Sequence, residues 1–259
     1  MKLYVPIWMV SAVVLMFAIG AQAAEMDKAK VVRDYTDMVM PANQQSYETG
    51  VKAYAKCLSE HGFKYKWTAL LHETGNVYTY SYVSDPLEWA DFDTMHETAR
   101  VCDSVWVSEV NPYVKKETSA FMVTKPELSH MPKGMDLGTA LIDVTYFKLK
   151  SGHEAHEMFT STLKKIAEAA AKKNWPGHYQ FASVQDAGPK APDYVLVWPA
   201  KDWADFGKEI KPPLWKMLEE VYGKEKAGEM RKTLNDVIVD SSSHVDRYST
   251  DLTYTPPGD

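Results

Sequence analysis

The sequence predicts an α+β protein made of two tandem βαββαβ repeats, whose antiparallel sheets pack face to face within one chain. Three observations predict it. Trp89-Ala90-Asp91-Phe92 returns almost unchanged as Trp203-Ala204-Asp205-Phe206, 114 positions later. At that same spacing, without a gap, Tyr65, Trp67, Tyr80 and Val83 meet Tyr179, Phe181, Tyr194 and Val197. A closing signature, Glu127-Leu128-Ser129-His130-Met131-Pro132, has its counterpart in Asp251-Leu252-Thr253-Tyr254-Thr255-Pro256. The length, 259 residues, suits two units that each bury a core of their own. The expected boundaries are 24–133 for the first repeat and 134–259 for the second.

In the first repeat, Val31 to Met40 reads as a strand that Pro41 and Asn43 turn into a helix. The helix carries an apolar stripe at Tyr47, Val51, Tyr54 and Leu58, in steps of three and four, and Gly62 ends it. Phe63 to Leu71 and Val77 to Val83 alternate as strands and form a hairpin around Gly75-Asn76. Alternation places Phe63, Tyr65 and Trp67 on one strand face, and Tyr78, Tyr80 and Tyr82 on one face of the next. Asp85-Pro86 is expected to cap and open a second helix with the stripe Phe92, Met95, Ala99, Cys102 and Trp106, ending at Pro112. Ala120 to Thr124 is the fourth strand, and Lys125 to Gly134 the linker.

The second repeat follows the same order. Ala140 to Leu149 is a strand, and the stripe Phe159, Leu163, Ile166 and Ala170 a helix. His178 to Gln185 and Tyr194 to Trp198 are the paired strands, and a second helix opens at Asp202. Pro212-Pro213 must break that helix, so 212–238 reads as a helical insertion peculiar to this repeat. A last strand is expected near His244 to Ser249.

Composition is that of an ordinary globular chain, 45% hydrophobic and 25% charged, with a formal charge of −6. That acidity leaves no footprint for nucleic acid. Lys2, the apolar run Val5 to Ile19 and Ala21-Gln22-Ala23 read as a signal peptide over residues 1–23. Its removal would leave a charge of −7, since Lys2 is the sole charged residue lost. The run is shorter than the ~20 residues of a membrane span, so no stable span is expected after cleavage, and the protein is expected to be periplasmic or secreted. In an oxidising compartment Cys57 and Cys102 can form a disulfide. Two buried free thiols are the alternative, because the second repeat is built without either cysteine.

Two βαββαβ units of this length resemble the dimeric α+β barrel superfamily of ferredoxin-like proteins, including its antibiotic-biosynthesis-monooxygenase and NIPSNAP branches. The resemblance implies an intrachain pseudo-dimer in which two sheets close a barrel. It also implies that the barrel, or the cleft between sheet and helices, holds small ligands such as quinols, polyketides or haem. None of the catalytic triplets of the haem-degrading or monooxygenase branches can be laid onto this chain residue by residue. Asn174-Trp175 stand adjacent in a helix-strand turn, without a histidine to complete an Asn-Trp-His set.

The candidate ligand-binding residues are the aromatic rows and the histidines beside them: Trp67, Tyr78, Tyr80, Tyr82, Phe181, Tyr194 and Trp198, with His72, His96 and His178. Rings could line a pocket for an apolar or aromatic ligand, and a histidine there could act as acid, base or axial ligand. Plain packing of a sheet face is the alternative, and the side of the sheet that the rings occupy is open. His153 and His156 share a helix face but lack the His-Glu-x-x-His spacing, so no metal site is assigned. No motif names a cofactor or a catalytic residue. Asp91 and Asp205 read as helix-start acids. The expected function is binding of a small apolar or aromatic ligand, with a cofactor-independent monooxygenase or haem-handling enzyme, or a ligand-free structural envelope protein, as rivals.

Overall fold

Strands with alternating side chains need cover on both faces, and here they obtain it by closing on themselves with helices outside. The computed structural model describes residues 30–131 and 140–258. The expected signal peptide, 1–23, and most of the second half of the linker lie outside the described residues. The first half contains β1 (Val31–Val39), α1 (Gln44–Glu60), β2 (Trp67–His72), β3 (Thr79–Ser84), α2 (Trp89–Ala99), the short turn α3 (Asp103–Val105) and β4 (Val114–Thr124). The second contains β5 (Leu141–Leu149), α4 (His153–Lys173), β6 (Gln180–Gln185), β7 (Tyr194–Ala200), α5 (Trp203–Phe206), α6 (Leu214–Tyr222), α7 (Lys224–Val237) and β8 (Ile238–Tyr254).

The eight strands form a closed antiparallel barrel in the order β1-β3-β2-β8-β5-β7-β6-β4. Its interior is apolar on one side, where Leu70, Ile142, Val144, Ala182 and Val195 meet. The other faces of the strands carry the helices. Tyr47 and Val51 of α1 pack on Tyr80 and Tyr82 of β3. This settles which side those two rings occupy: they lie under the helix, outside the barrel.

Both Trp-Ala-Asp-Phe segments begin helices. Asp91 accepts from the backbone N–H of Glu88 while Glu88 caps α2, a reciprocal box. Asp205 accepts from the N–H of Lys201, and Asp202 caps α5 by accepting from the N–H of Asp205. The expected opening of α2 at Asp85-Pro86 is corrected: the helix starts at Trp89 behind Glu88. It also ends earlier, at Ala99, and the rest of the stripe falls in a 3-10 turn (Arg100–Cys102) and a π-helical segment (Trp106–Val110).

Several strand expectations change, among them β4, which starts at Val114 and not at Ala120. Phe63 and Tyr65 precede β2, so they stand in the loop leaving α1. Tyr78 precedes β3 and is 37% exposed, which removes it from the tyrosine row. The last strand runs 17 residues, far beyond His244 to Ser249. Its polar start, Asp240-Ser241-Ser242-Ser243, pairs with Lys148 to Thr145 of β5, and its far end pairs with β2. Backbone pairing with β5, not side-chain burial, makes the polar segment a strand.

The insertion has a clear packing role. α6 and α7 bury Met217, Leu218, Ala227 and Met230 against α4 and the aromatic face of β6 and β7.

Close approach of α1 to the π-helical segment depends on Gly50. A Cβ at that position would lie 1.9 Å from the carbonyl oxygen of Glu109, whereas one at Gly228 in α7 would meet nothing within 4 Å. Gly50→Ala is therefore expected to lower stability by about 2 kcal/mol, since overpacking against backbone outweighs the helix propensity of alanine. Gly228→Ala is expected to raise it by up to ~1 kcal/mol. Urea denaturation of the two variants checks both signs.

Candidate functional site

The outer face of the first-half sheet and the helices above it enclose a cleft of about 520 Å³. Strand alternation points Trp67 and Tyr82 into it, and the inward stripe of α1 adds Tyr54 and Leu58. Phe92, Met95 and His96 come from α2, Trp106 from the π-helical segment, and Phe121 from β4. Trp67 is held from several sides: its ring lies 4.8 Å from that of Tyr254 and 6.3 Å from that of Tyr54, and its indole N–H donates to the carbonyl of Leu252 at 2.9 Å. Burial pushes the Tyr54 phenol up to about 12. These aromatic walls are therefore apolar and neutral, and the acids Asp103 and Glu117 line the cleft beside them.

Arg33 is the cation set among the rings. Its guanidinium lies 4.2 Å over the ring of Phe121 and 4.7 Å over that of Tyr35, and donates to the Ser119 hydroxyl at 2.9 Å. Its Nε is buried without a hydrogen-bond partner, and among the described residues no carboxylate pairs with it. A half-buried cation with a spare donor in an aromatic cleft is set up to receive an anionic group. Lys66 lines the same cleft.

The corresponding surface of the second half is filled. Phe181, Tyr194 and Trp198 belong to a core with Phe159, Trp175, Met217 and Leu218, and the indole of Trp175 donates to the carbonyl of Pro212 at 2.7 Å. Their expected role as pocket walls is corrected to core packing, because the inserted helices take the space a ligand would use. His178 stands at the edge of this core, 6.0 Å from the ring of His130, where burial lowers its pKa. Tyr80 is buried against α1, its hydroxyl donating to Glu48 at 2.8 Å, and does not line the cleft. Of the ten expected residues, the cleft thus gathers Trp67, Tyr82 and His96.

His72 faces the other way, into the barrel. There it meets His244 and Asp246 of β8, which no sequence pattern had linked to it. The two imidazoles stack with centroids 4.0 Å apart. Burial pushes His72 down to about 4 and, deeper in the same interior, Asp34 up to about 7. Alternation could have placed His244 and Asp246 on one face of a strand. It could not have brought β2 beside them.

No family model matches the sequence, and no curated protein matches it. Solved structures do. A proposed monooxygenase from Lactobacillus acidophilus NCFM superimposes with a TM-score of 0.55 at 10% identity, covering 88% of this chain and 97% of that one. A second proposed monooxygenase, from Fusobacterium nucleatum subsp. nucleatum, gives 0.54 at 15% identity over 86% and 94%. A mutant chlorite dismutase from Candidatus Nitrospira defluvii, in complex with cyanide, gives 0.52 at 11% identity over 87% and 93%.

The chain has a mixed α+β fold around a closed eight-stranded antiparallel barrel, as these neighbours do.

At these identities the likeness extends to the fold alone. The Asn174-Trp175 pair, singled out in the sequence as two-thirds of a haem-degrading set, does not form a site here, since Trp175 is buried in the second-half core. Among the described residues, no helix is long and apolar enough to cross a membrane.

Proposed function

We propose that the protein binds a flat, largely apolar ligand carrying an acidic group, with haem as the leading member of that class, in the first-half cleft. The observation that carries this reading is Arg33, an unpaired guanidinium with an orphaned buried Nε in a cleft walled by Tyr54, Trp67, Trp106 and Phe121. The volume, about 520 Å³, lies within the usual range for a small-molecule site. The cleft offers a haem rings to cover the macrocycle, Arg33 and Lys66 for its carboxylates, and His96 for its iron, with the opposing charges of Asp103 and Glu117 on the same lining. Bound there, the iron would supply redox or oxygen chemistry. The activities named for the structural neighbours, monooxygenase and chlorite dismutase, favour this haem-handling or monooxygenase reading over plain storage of an apolar molecule.

The strand orders β4-β1-β3-β2 and β8-β5-β7-β6 are the same with each number raised by four. This supports reading 24–133 and 134–259 as two ferredoxin-like repeats fused into a pseudo-dimer, the first of which keeps an open cleft. Export behind a signal peptide at 1–23, to the periplasm or beyond, belongs to the same proposal. The disulfide between Cys57 and Cys102 supports it, because such bonds persist in oxidising compartments.

Titration with hemin and with iron-free protoporphyrin IX, followed by absorbance and tryptophan quenching, tests the cleft. Both are expected to bind with one equivalent. Arg33→Gln is expected to weaken both by roughly 10-fold or more, the worth of a charged hydrogen bond. His96→Ala is expected to shift the Soret band of bound hemin and leave protoporphyrin binding unchanged. Saturable binding of neither compound, or equal affinity in the Arg33 variant, overturns the proposal.

A further inference from the structure

We propose that the barrel interior holds a second site, in which His72, His244 and Asp246 bind one divalent transition-metal ion. The strand pairing builds it. His244 and Asp246 are two apart on β8 and so face the same side, and β2 lies in register with His72 opposite Asp246. His72 Nε2 stands 3.5 Å from Asp246 Oδ1, and His244 Nε2 stands 3.2 Å from the same oxygen. One ligand atom from each of the three residues lies within 4.8 Å of the other two. Ligands about 2.0–2.2 Å from a tetrahedral ion are separated by roughly 3.3 Å, so small rotations of the two rings close the set around one ion.

A second observation points to a missing partner. Asp246 is 2% exposed and Asp34 is 6% exposed, yet Oδ1 of each accepts no hydrogen bond. A carboxylate oxygen left unpartnered in a protein interior, as Asp34 Oδ1 is, is costly and a cation satisfies it directly; Asp246 Oδ1 has only the two imidazole nitrogens, at 3.2 and 3.5 Å and without a hydrogen bond. Asp34 lines the same cavity as His72 and His244 and stands ready as a further oxygen donor. Two imidazoles and one carboxylate form a donor set that suits zinc, iron(II) or cobalt(II) and disfavours magnesium or calcium, which take oxygen ligands.

The site also has an entry path and room for an exogenous ligand. A cavity of about 360 Å³ reaches from His72 and His244, past Tyr146 and Ser81, to Lys190 and Ser242 at the barrel mouth. Three protein ligands leave at least one coordination position, open toward that cavity, as in metal sites that bind a water or a small anion. This site shares no residue with the cleft beneath α1, so either can exist without the other.

Full-length protein stripped with chelator and titrated with Zn²⁺ and Co²⁺ provides the test. One equivalent of each ion is expected to bind, with Co²⁺ giving visible absorption of a low-coordinate site. His244→Ala and Asp246→Asn are expected to weaken binding by roughly 100-fold or more. His153→Ala/His156→Ala, which removes the surface pair on α4, is expected to leave it unchanged. X-ray absorption of the Zn²⁺-loaded wild-type protein needs no variant to fold and is expected to show two imidazole nitrogens and carboxylate oxygen. Absence of saturable binding, loss of binding only in the His153/His156 variant, or a zinc shell without imidazole overturns the site.

Discussion

Replacing Cys57 and Cys102 together by alanine is expected to lower the free energy of unfolding by about 4 kcal/mol, and with it the melting temperature by roughly 10 °C. The bond ties the last turn of α1 to the segment that follows α2, across 45 residues that include β2, β3 and α2. Cutting it releases that whole stretch in the unfolded chain, whose entropy rises with the length of the loop it no longer closes. Cys102 is fully buried beside Leu58, Phe63 and Tyr254, behind the cleft lining that Leu58 and Phe63 provide, so the change also loosens the wall that Met95 and Tyr54 share. Calorimetry of the variant, and of the wild-type protein with and without reductant, checks the figure. A loss below about 1 kcal/mol would mean that the aromatic packing alone holds the two helices together.

The second large effect follows pH. Asp37 is 1% exposed on the helix side of β1, and burial holds its carboxyl up at about 7 although the Tyr47 hydroxyl donates to its Oδ2 at 2.6 Å. Tyr82 lies beyond Tyr47, 3.0 Å between hydroxyls, and the negative charges of Glu117 and Asp34 push in the same direction as burial. The native value stands above the unfolded one near 4, so the folded chain keeps a proton that the unfolded chain gives up. The contribution of Asp37 to stability is therefore complete below pH 4 and lost as pH rises toward 7, by roughly 3 to 4 kcal/mol. His72 works in the opposite sense: its imidazole is pushed down to about 4, so its contribution is lost as pH falls from 6.5. Asp37→Asn isolates the first effect, because His72 and Asp34 are common to both proteins. Relative to wild type, the variant is expected to gain stability steadily between pH 4 and pH 7.5 in denaturant titrations. Parallel curves would place the titration elsewhere.

Much of the fold was legible because its signals are local. The stripe Tyr47, Val51, Tyr54 and Leu58 belongs to α1, and both Trp-Ala-Asp-Phe segments start helices through acids that accept from nearby backbone N–H groups. The interruption at Pro212-Pro213 likewise marks the entry to α6 and α7. Signals failed where pairing at a distance overrode local composition. Asp240 to Ser243 reads as a polar loop, yet β5 recruits it into β8. Tyr78 fits the alternation of its neighbours, yet the ladder starts one residue after it.

The candidate site divides along the same line. Trp67, Tyr82 and His96 could be picked out because they sit on predicted faces beside predicted stripes. Arg33 could not, since a single cation in a strand shows its isolation only when every carboxylate around it is located. Phe181, Tyr194 and Trp198 carry the same pattern as Trp67 and Tyr80, and their different fate depends on α6 and α7 folding back over them. Sequence periodicity determined which side chains share a face and which segments become helices, because each of these is a property of a few neighbouring residues. Only the tertiary structure decided which cleft stays open and which histidines meet. Those outcomes depend on contacts between strands and helices far apart in the chain, β2 with β8 above all, and no periodicity encodes which edges join.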